Sequence, residues 1–329
     1  MAGLSRTGPM ALLRAAGALL CTCLADSNPD VSPHDSWVIQ HSRDWFQDAK
    51  FGLFIHFGPY AMAGKGEWYM ETHGISLSDY VGMARGFNPH VYNPREWVAI
   101  AKAAGMKYIT VTTKHHDGFA MWATKAGTWN LNTITDFRGD FIGALFQEAK
   151  DAGIKMVFYY SLLDWAHPAY SPGRTGQRNG HHEPTRNFAE YIRYMETHLH
   201  ELLTKYGEVA GIWFDGLWDK PDAAWQLDQI YALIHRLQPG CLIGNNHHGT
   251  PLAGEDFQMW EKDLPGQATQ AFNQVWPPRA SRLCEHALLS FESRLSPLEC
   301  TSSSLAFNRD LLVVAAICWR SPQRVLRGY

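Results

Sequence analysis

Asp215 closes the apolar run Gly211-Ile-Trp-Phe-Asp and is followed at once by Gly216, so a carboxylate is presented where a stiff stretch gives way to a turn. A carboxylate held that way suits nucleophilic chemistry. In retaining glycoside hydrolysis it works roughly 5–5.5 Å from a second carboxyl that donates a proton. The same placement also serves an acid that only caps the next turn, and Asp215 alone leaves both readings open. Lys114-His115-His116-Asp117-Gly118-Phe119 gathers two imidazoles and an acid, which raises a metal-dependent hydrolase as a rival chemistry. Consecutive side chains on extended backbone point to opposite faces. His115 and His116 are therefore expected to meet substrate hydroxyls, or one to do so with the other supporting it, rather than to share one ion. His56 interrupts the apolar Phe54-Ile-His-Phe-Gly, either as a satisfied core histidine or as a substrate contact. Glu67 and Trp68 set hydroxyl acceptors beside a flat apolar ring, a pairing able to grip a sugar. Asn245-Asn246-His247-His248 and Gly254-Glu255-Asp256 are weaker polar clusters of the same kind.

Most of these residues end a short run rich in β-branched and aromatic side chains. Gly52-Leu-Phe-Ile, Lys107-Tyr-Ile-Thr-Val-Thr-Thr, Lys155-Met-Val-Phe-Tyr-Tyr-Ser, Gly211-Ile-Trp-Phe-Asp and Leu242-Ile-Gly-Asn-Asn all read as strands. About six such strands are expected before residue 273. Amphipathic helices fill the gaps: Pro94 to Gly105, opened by proline and closed by glycine, Phe141 to Ala152, Asn187 to Tyr206, and Ala223 to Leu237. Strand–helix alternation with near-continuously apolar strands implies a parallel sheet covered by helices. His56, His115, Tyr160, Asp215 and Asn246 fall at or just past the C-terminal ends of different strands, the rim on which barrel enzymes build their sites. A doubly wound nucleotide fold would show a glycine-rich turn at one switch point, and there is none. The expected fold is α/β, a (β/α)8-type barrel, and residues 171–186 form a polar loop on its rim.

Hydrophobic residues make up 46% of the chain and charged residues 19%, the balance of a globular protein. Net charge is −3 and no long basic run occurs, which argues against nucleic-acid binding. With 13 Trp, 13 Tyr and 16 Phe, rings are available either for a large core or for the C–H face of a sugar. Residues 1–26 combine Arg6, a short apolar core and small residues near Ala25, the pattern of a secretory signal, so a secreted, periplasmic or lysosomal location is expected. That apolar run is too short to span a bilayer. Between residue 26 and Leu283 the only cysteine is Cys241, so disulfides do not hold that part together.

Taken together, Trp45-Phe-Gln-Asp-Ala-Lys-Phe-Gly-Leu-Phe-Ile-His-Phe-Gly-Pro-Tyr, Gly66-Glu-Trp-Tyr-Met, Thr113-Lys-His-His-Asp-Gly-Phe and Trp213-Phe-Asp-Gly resemble the α-L-fucosidase family of glycoside hydrolases. The resemblance covers residues 40 to about 273. It implies a (β/α) barrel over residues 36–273 and exo-acting hydrolysis of terminal α-L-fucose from oligosaccharides or glycoprotein glycans. It further implies retention of configuration with no metal or organic cofactor. By matching position it makes Asp215 the nucleophile, with His56, Glu67, Trp68, His115, His116, Tyr160 and Trp213 lining the fucose pocket.

After Asn273 the resemblance ends. Residues 274–329 form a divergent tail, and the barrel is expected to be incomplete at its C-terminal end, which would leave strand edges unpaired. The family's general acid/base glutamate is expected beyond this break, and Pro297-Leu-Glu-Cys makes Glu299 its candidate. Glu255, Glu261 and Glu285 are the other acids in reach. Without such an acid the rate falls by about 10²–10⁴-fold. The alternative readings are a fucose-binding protein without turnover and a truncated isoform.

Overall fold

The computed structural model describes residues 33–177, 187–247, 252–257 and 259. In chain order its elements are α1 (Pro33–Ala49), β1 (Gly52–Ile55), α2 (Tyr69–Thr72), α3 (Leu77–Ala84), α4 (Pro94–Ala103), β2 (Tyr108–Lys114), α5 (Leu131–Ile134), α6 (Phe141–Asp151), β3 (Lys155–Ser161), α7 (Phe188–Lys205), β4 (Gly211–Asp215), α8 (Leu227–Leu237) and β5 (Leu242–Asn246). Short 3₁₀ turns at Pro59–Ala63 and Leu217–Asp219 interrupt the loops. The helix starts follow side-chain caps: Asn93, Asp140 and Asn187 each accept a hydrogen bond from the third residue onward, and Pro94 supplies a preset φ at the start of α4. α8 begins four residues later than its apolar pattern predicts. Trp225 Nε1 is tied back to the Lys220 carbonyl at 2.8 Å and Gln226 adopts φ +53°, so the chain turns before it can wind.

All strand pairs are parallel, in the order β1-β2-β3-β4-β5. That sequential order, with no reversal, is the winding of a (β/α)8 barrel and not of a doubly wound sheet. Five strands lie among the described residues rather than about six. Past β5, among the described residues, one further pairing is seen, a parallel bridge between Gly244 and Phe257. Among the described residues no helix is long and apolar enough to cross a membrane.

Strand alternation divides the core in two. Ile109, Val111, Phe158, Tyr160, Ile212, Phe214 and Ile243 face the helices and belong to the larger cluster. Phe54, Tyr108, Val157, Tyr159, Trp213 and Leu242 face inward and pack with Phe46 and Ala49 of α1. Phe46 stands 5.5 Å from the ring of Tyr108, the first residue of β2, so α1 covers the N-terminal mouth of the sheet. Burying such a ring contributes about 2 kcal/mol. The opposite, C-terminal mouth is left for chemistry.

Candidate active site

The register of β3 on β4 pairs Tyr159 with Trp213 and Ser161 with Asp215. These four residues share the inward face, and Asp215 occupies its C-terminal end. The Tyr159 hydroxyl donates to Asp215 Oδ2 at 2.8 Å. Asp215 Oδ1 accepts from the Gly216 amide at 2.7 Å, Trp218 Nε1 at 3.1 Å and Asn246 Nδ2 at 3.3 Å. Four donors on one side chain fix both carboxylate oxygens, yet Asp215 keeps 9% of its surface exposed. Gly216 permits the turn: its φ is +92°, and a Cβ there would stand 2.5 Å from Leu163 Cβ.

β2 ends in a register shift, with Thr112 opposite Tyr159 but Lys114 opposite Tyr160. An extra residue of this kind re-aims the side chains beyond it. Lys114 points outward to the helices, the chain turns, and both following imidazoles lie on the inward side with ring centroids 4.2 Å apart. The expectation that His115 and His116 face opposite ways is therefore corrected, because the backbone is no longer extended there. His115 stacks on Tyr159 at 5.4 Å and meets the His56 ring at 5.3 Å. His116 stands edge-on to Trp68 at 5.2 Å, Trp165 at 5.5 Å and Trp218 at 5.9 Å. Its Nε2 lies 3.7 Å from Asp215 Oδ2. Asp117 does not join the two histidines: it accepts from the Tyr80 hydroxyl at 2.7 Å and the Phe119 amide at 3.1 Å. The described residues contain no group of three or more His, Cys, Asp or Glu able to hold an ion.

Burial, followed by the neighbouring His116, His56 and Lys114, pushes the His115 imidazole well below its ordinary pKa, so that ring is neutral. Its Nδ1 has no hydrogen-bond partner among the described residues. Burial also pushes the Asp117 carboxyl up to about 6, against the hydrogen bonds from Tyr80 and Phe119.

Of the residues singled out in the sequence, the structure brings His56, Trp68, His115, His116 and Asp215 together. Glu67 is half-buried in the loop leading to α2; burial first, then Asp117 and Glu67, push the Tyr60 hydroxyl well above its ordinary pKa. Trp213 lies one layer below Asp215, with its ring 5.0 Å from Phe54. Tyr160 is the exception. Its hydroxyl meets His198 Nδ1 at 3.0 Å on the helix side, and the Lys114 ammonium sits 5.0 Å from its ring. Strand alternation sends Tyr160 outward with Phe214, and Tyr159 takes the inward place. Glu255 is likewise spent elsewhere, accepting from Tyr231 at 2.9 Å and meeting His247 Nε2 at 2.9 Å. Glu261, Glu285, Glu299 and residues 1–26 lie outside the described residues. The start of the 171–186 loop does lie on the rim, where Thr175 binds Asp219 and Trp165.

Sequence reasoning missed Tyr159, Trp165 and Trp218. Trp218 stacks on Trp68 at 5.8 Å and completes an aromatic wall beside Asp215. The strand register identifies Tyr159: it stands two residues before Ser161, the register partner of Asp215, and sequence alone does not give that register. A carboxylate fixed by donors, neighbouring imidazoles and stacked indoles together suit a polyhydroxylated ring with an apolar face.

The alpha-L-fucosidase family profile matches residues 22–279. The tissue alpha-L-fucosidase of Rattus norvegicus is 30% identical over 247 residues, 68% of this chain and 51% of the relative. The Homo sapiens counterpart is 30% identical over 212 residues, 59% of this chain and 44% of the relative. The chain thus spans about half the length of these curated relatives. Among solved structures, alpha-L-fucosidase isoenzyme 1 from Paenibacillus thiaminolyticus superposes with a TM-score of 0.60 at 34% identity, over 65% of this chain and 53% of that one. AlfC from Lactobacillus casei, in complex with alpha-L-fucose product, gives 0.60 at 32% identity, over 67% and 75%.

Proposed function

The chain belongs to the alpha-L-fucosidase family, and from that premise we propose that it is an exo-acting retaining hydrolase of terminal α-L-fucosides. The observation that carries this reading is Asp215: a partly exposed carboxylate at the end of β4, held by Tyr159, Gly216, Trp218 and Asn246 and facing His116. The substrate is a fucosylated oligosaccharide or glycoprotein glycan. Structures of related enzymes hold Fuca(1,6)GlcNAc and 4-nitrophenyl-a-L-fucopyranoside.

Asp215 attacks the anomeric carbon, the aglycone leaves with a proton from the general acid, and water then releases fucose with retained configuration. We assign the general acid to Glu299. His56, Glu67, His115 and His116 hold the sugar hydroxyls, while Trp68, Trp213 and the neighbouring indoles cover its apolar side, with Tyr159 beside the nucleophile. Residues 1–26 direct the chain into the secretory route.

Release of 4-nitrophenol from the α-L-fucoside by the purified chain tests the reading. Turnover that disappears in Asp215→Ala, with α-L-fucose as the first product anomer by NMR, is the expected result. A folded chain that binds the fucoside without turning it over sinks it. Glu299→Gln should slow poor leaving groups far more than 4-nitrophenol, and equal slowing of both would move the acid elsewhere.

A further inference from the structure

His116 is the imidazole nearest the nucleophile, and its chemistry depends on which nitrogen keeps a proton. Its Nδ1 contacts the Ser161 hydroxyl at 2.7 Å, in a place where both side chains are about 1% exposed or less. A serine hydroxyl has one proton to give. That proton is already committed, because Ser161 Oγ donates to the Leu163 carbonyl. The hydroxyl therefore accepts at its contact with His116, and Nδ1 must carry the hydrogen. The Leu163 carbonyl is itself fixed from the far side by the Lys114 ammonium at 3.4 Å. The Leu162 amide binds the Asp215 carbonyl at 2.7 Å, so the segment cannot drift from β4.

We propose that Ser161 is a positioning residue that locks Nδ1–H on His116 and leaves Nε2 as the nitrogen that gains or loses a proton beside Asp215. This rests on the fucoside-hydrolysing reading above. In the neutral ring Nε2 is an acceptor, and the complementary group is a sugar hydroxyl next to the reacting carbon. In the charged ring Nε2–H faces Asp215 Oδ2 at 3.7 Å. The other tautomer would place N–H toward the nucleophile, where it competes with substrate, and would turn a lone pair onto the Ser161 oxygen. Hydrogen bonds that strengthen in the transition state act on kcat more than on KM, so the tautomer is a catalytic setting and not only a structural one.

The test is a two-bond ¹H–¹⁵N spectrum of the full chain labelled at its 16 histidines, with a His116→Gln sample identifying the His116 resonances. Neutral His116 is expected as the Nδ1–H tautomer. In Ser161→Ala the Nε2–H form should appear, with kcat on 4-nitrophenyl-α-L-fucoside reduced roughly 5- to 30-fold and KM little changed. Ser161→Thr should restore both tautomer and rate. An Nε2–H ring in the unmodified chain overturns the proposal, even if Ser161→Ala does not fold. An unchanged tautomer and an unchanged kcat in Ser161→Ala overturn it as well. If the unmodified chain shows no turnover the functional reading fails, while the spectrum still decides the role of Ser161.

Discussion

Tyr159 and Tyr160 are neighbours on β3, both buried and both hydrogen-bonded, yet they serve opposite sides of the sheet. The inward side carries Tyr159, His115, His116 and Asp215, with the His115 Nδ1 lacking a hydrogen-bond partner among the described residues and the carboxylate partly exposed. The outward side carries an equally polar set, in which the Lys114 ion pair is closed. Lys114 Nζ binds Asp164 Oδ2 at 3.0 Å and the Tyr191 hydroxyl at 3.2 Å. Asp164 Oδ1 accepts the Ala166 and His167 amides, each at 2.9 Å. Neither side chain of that ion pair is more than 1% exposed. A buried polar group without a partner is costly, so the two sides differ in what completes them. The Lys114–Asp164 pair is completed by the fold, whereas on the reading proposed above the inward set is completed by the sugar. The first should therefore fail as stability and the second as activity.

The largest separation is expected for Asp215→Ala. Turnover should fall on the order of 10⁴-fold or more, while urea unfolding shifts by less than about 1 kcal/mol, because the freed donors turn to cavity water. A large loss of stability would erase the distinction between the two faces. Lys114→Met probes the other side. It leaves the Asp164 carboxylate buried without its cation and should cost about 3–5 kcal/mol in the same unfolding assay. Adding Asp164→Leu should recover most of that cost, since removing both charges spares the desolvation. No recovery would mean the pair does more than neutralise itself.

The fold was largely legible because the period of a buried parallel strand is written in every residue: five apolar runs gave five strands, and capped amphipathic stretches gave the helices between them. Where reading failed, the cause was a single-residue choice. Tyr159 and Tyr160 are the same residue type, so only the register against β4 tells which one reaches Asp215. His115 and His116 were read on extended backbone, whereas the shift between Thr112 and Lys114 turns both inward, and pattern alone does not announce an irregularity of that kind. Trp165 and Trp218 arrive from loops whose course is set by tertiary contacts. The one acid beyond Asp215 that the chemistry requires was sought where the family resemblance ends, and there pattern had no frame to lean on.

Asp117 offers a pH-dependent probe of the closed side. Burial raises its carboxyl to about 6, so the folded chain holds that proton more tightly than the unfolded chain does. The stabilisation is fully present below the ordinary carboxylate pKa near ~4 and is lost as pH rises to about 6. Asp117→Asn has no such proton to lose. Relative to the unmodified chain, its unfolding free energy should therefore improve by about 2–3 kcal/mol between pH 4 and pH 7. Urea midpoints at four pH values measure this, and a difference that stays flat would mean the carboxyl keeps an ordinary pKa.

The smallest effects are expected from the two tyrosines, and they divide the faces most finely. Tyr159→Phe removes one donor from Asp215 Oδ2 without opening space, so kcat on an α-L-fucoside should drop roughly 10-fold, with unfolding little changed. Tyr160→Phe removes a hydroxyl whose hydrogen-bond partner among the described residues is His198, so kcat should hold while stability falls by about 1 kcal/mol. Both substitutions delete the same oxygen from adjacent residues of one strand. Residue type, strand position and lost volume are matched, and the face is the only variable left. Reversal of the two outcomes would place Tyr160 in the pocket and require β3 to slip by one residue against β4. A similar kcat loss in both would mean that the outward network tunes the nucleophile through the strand.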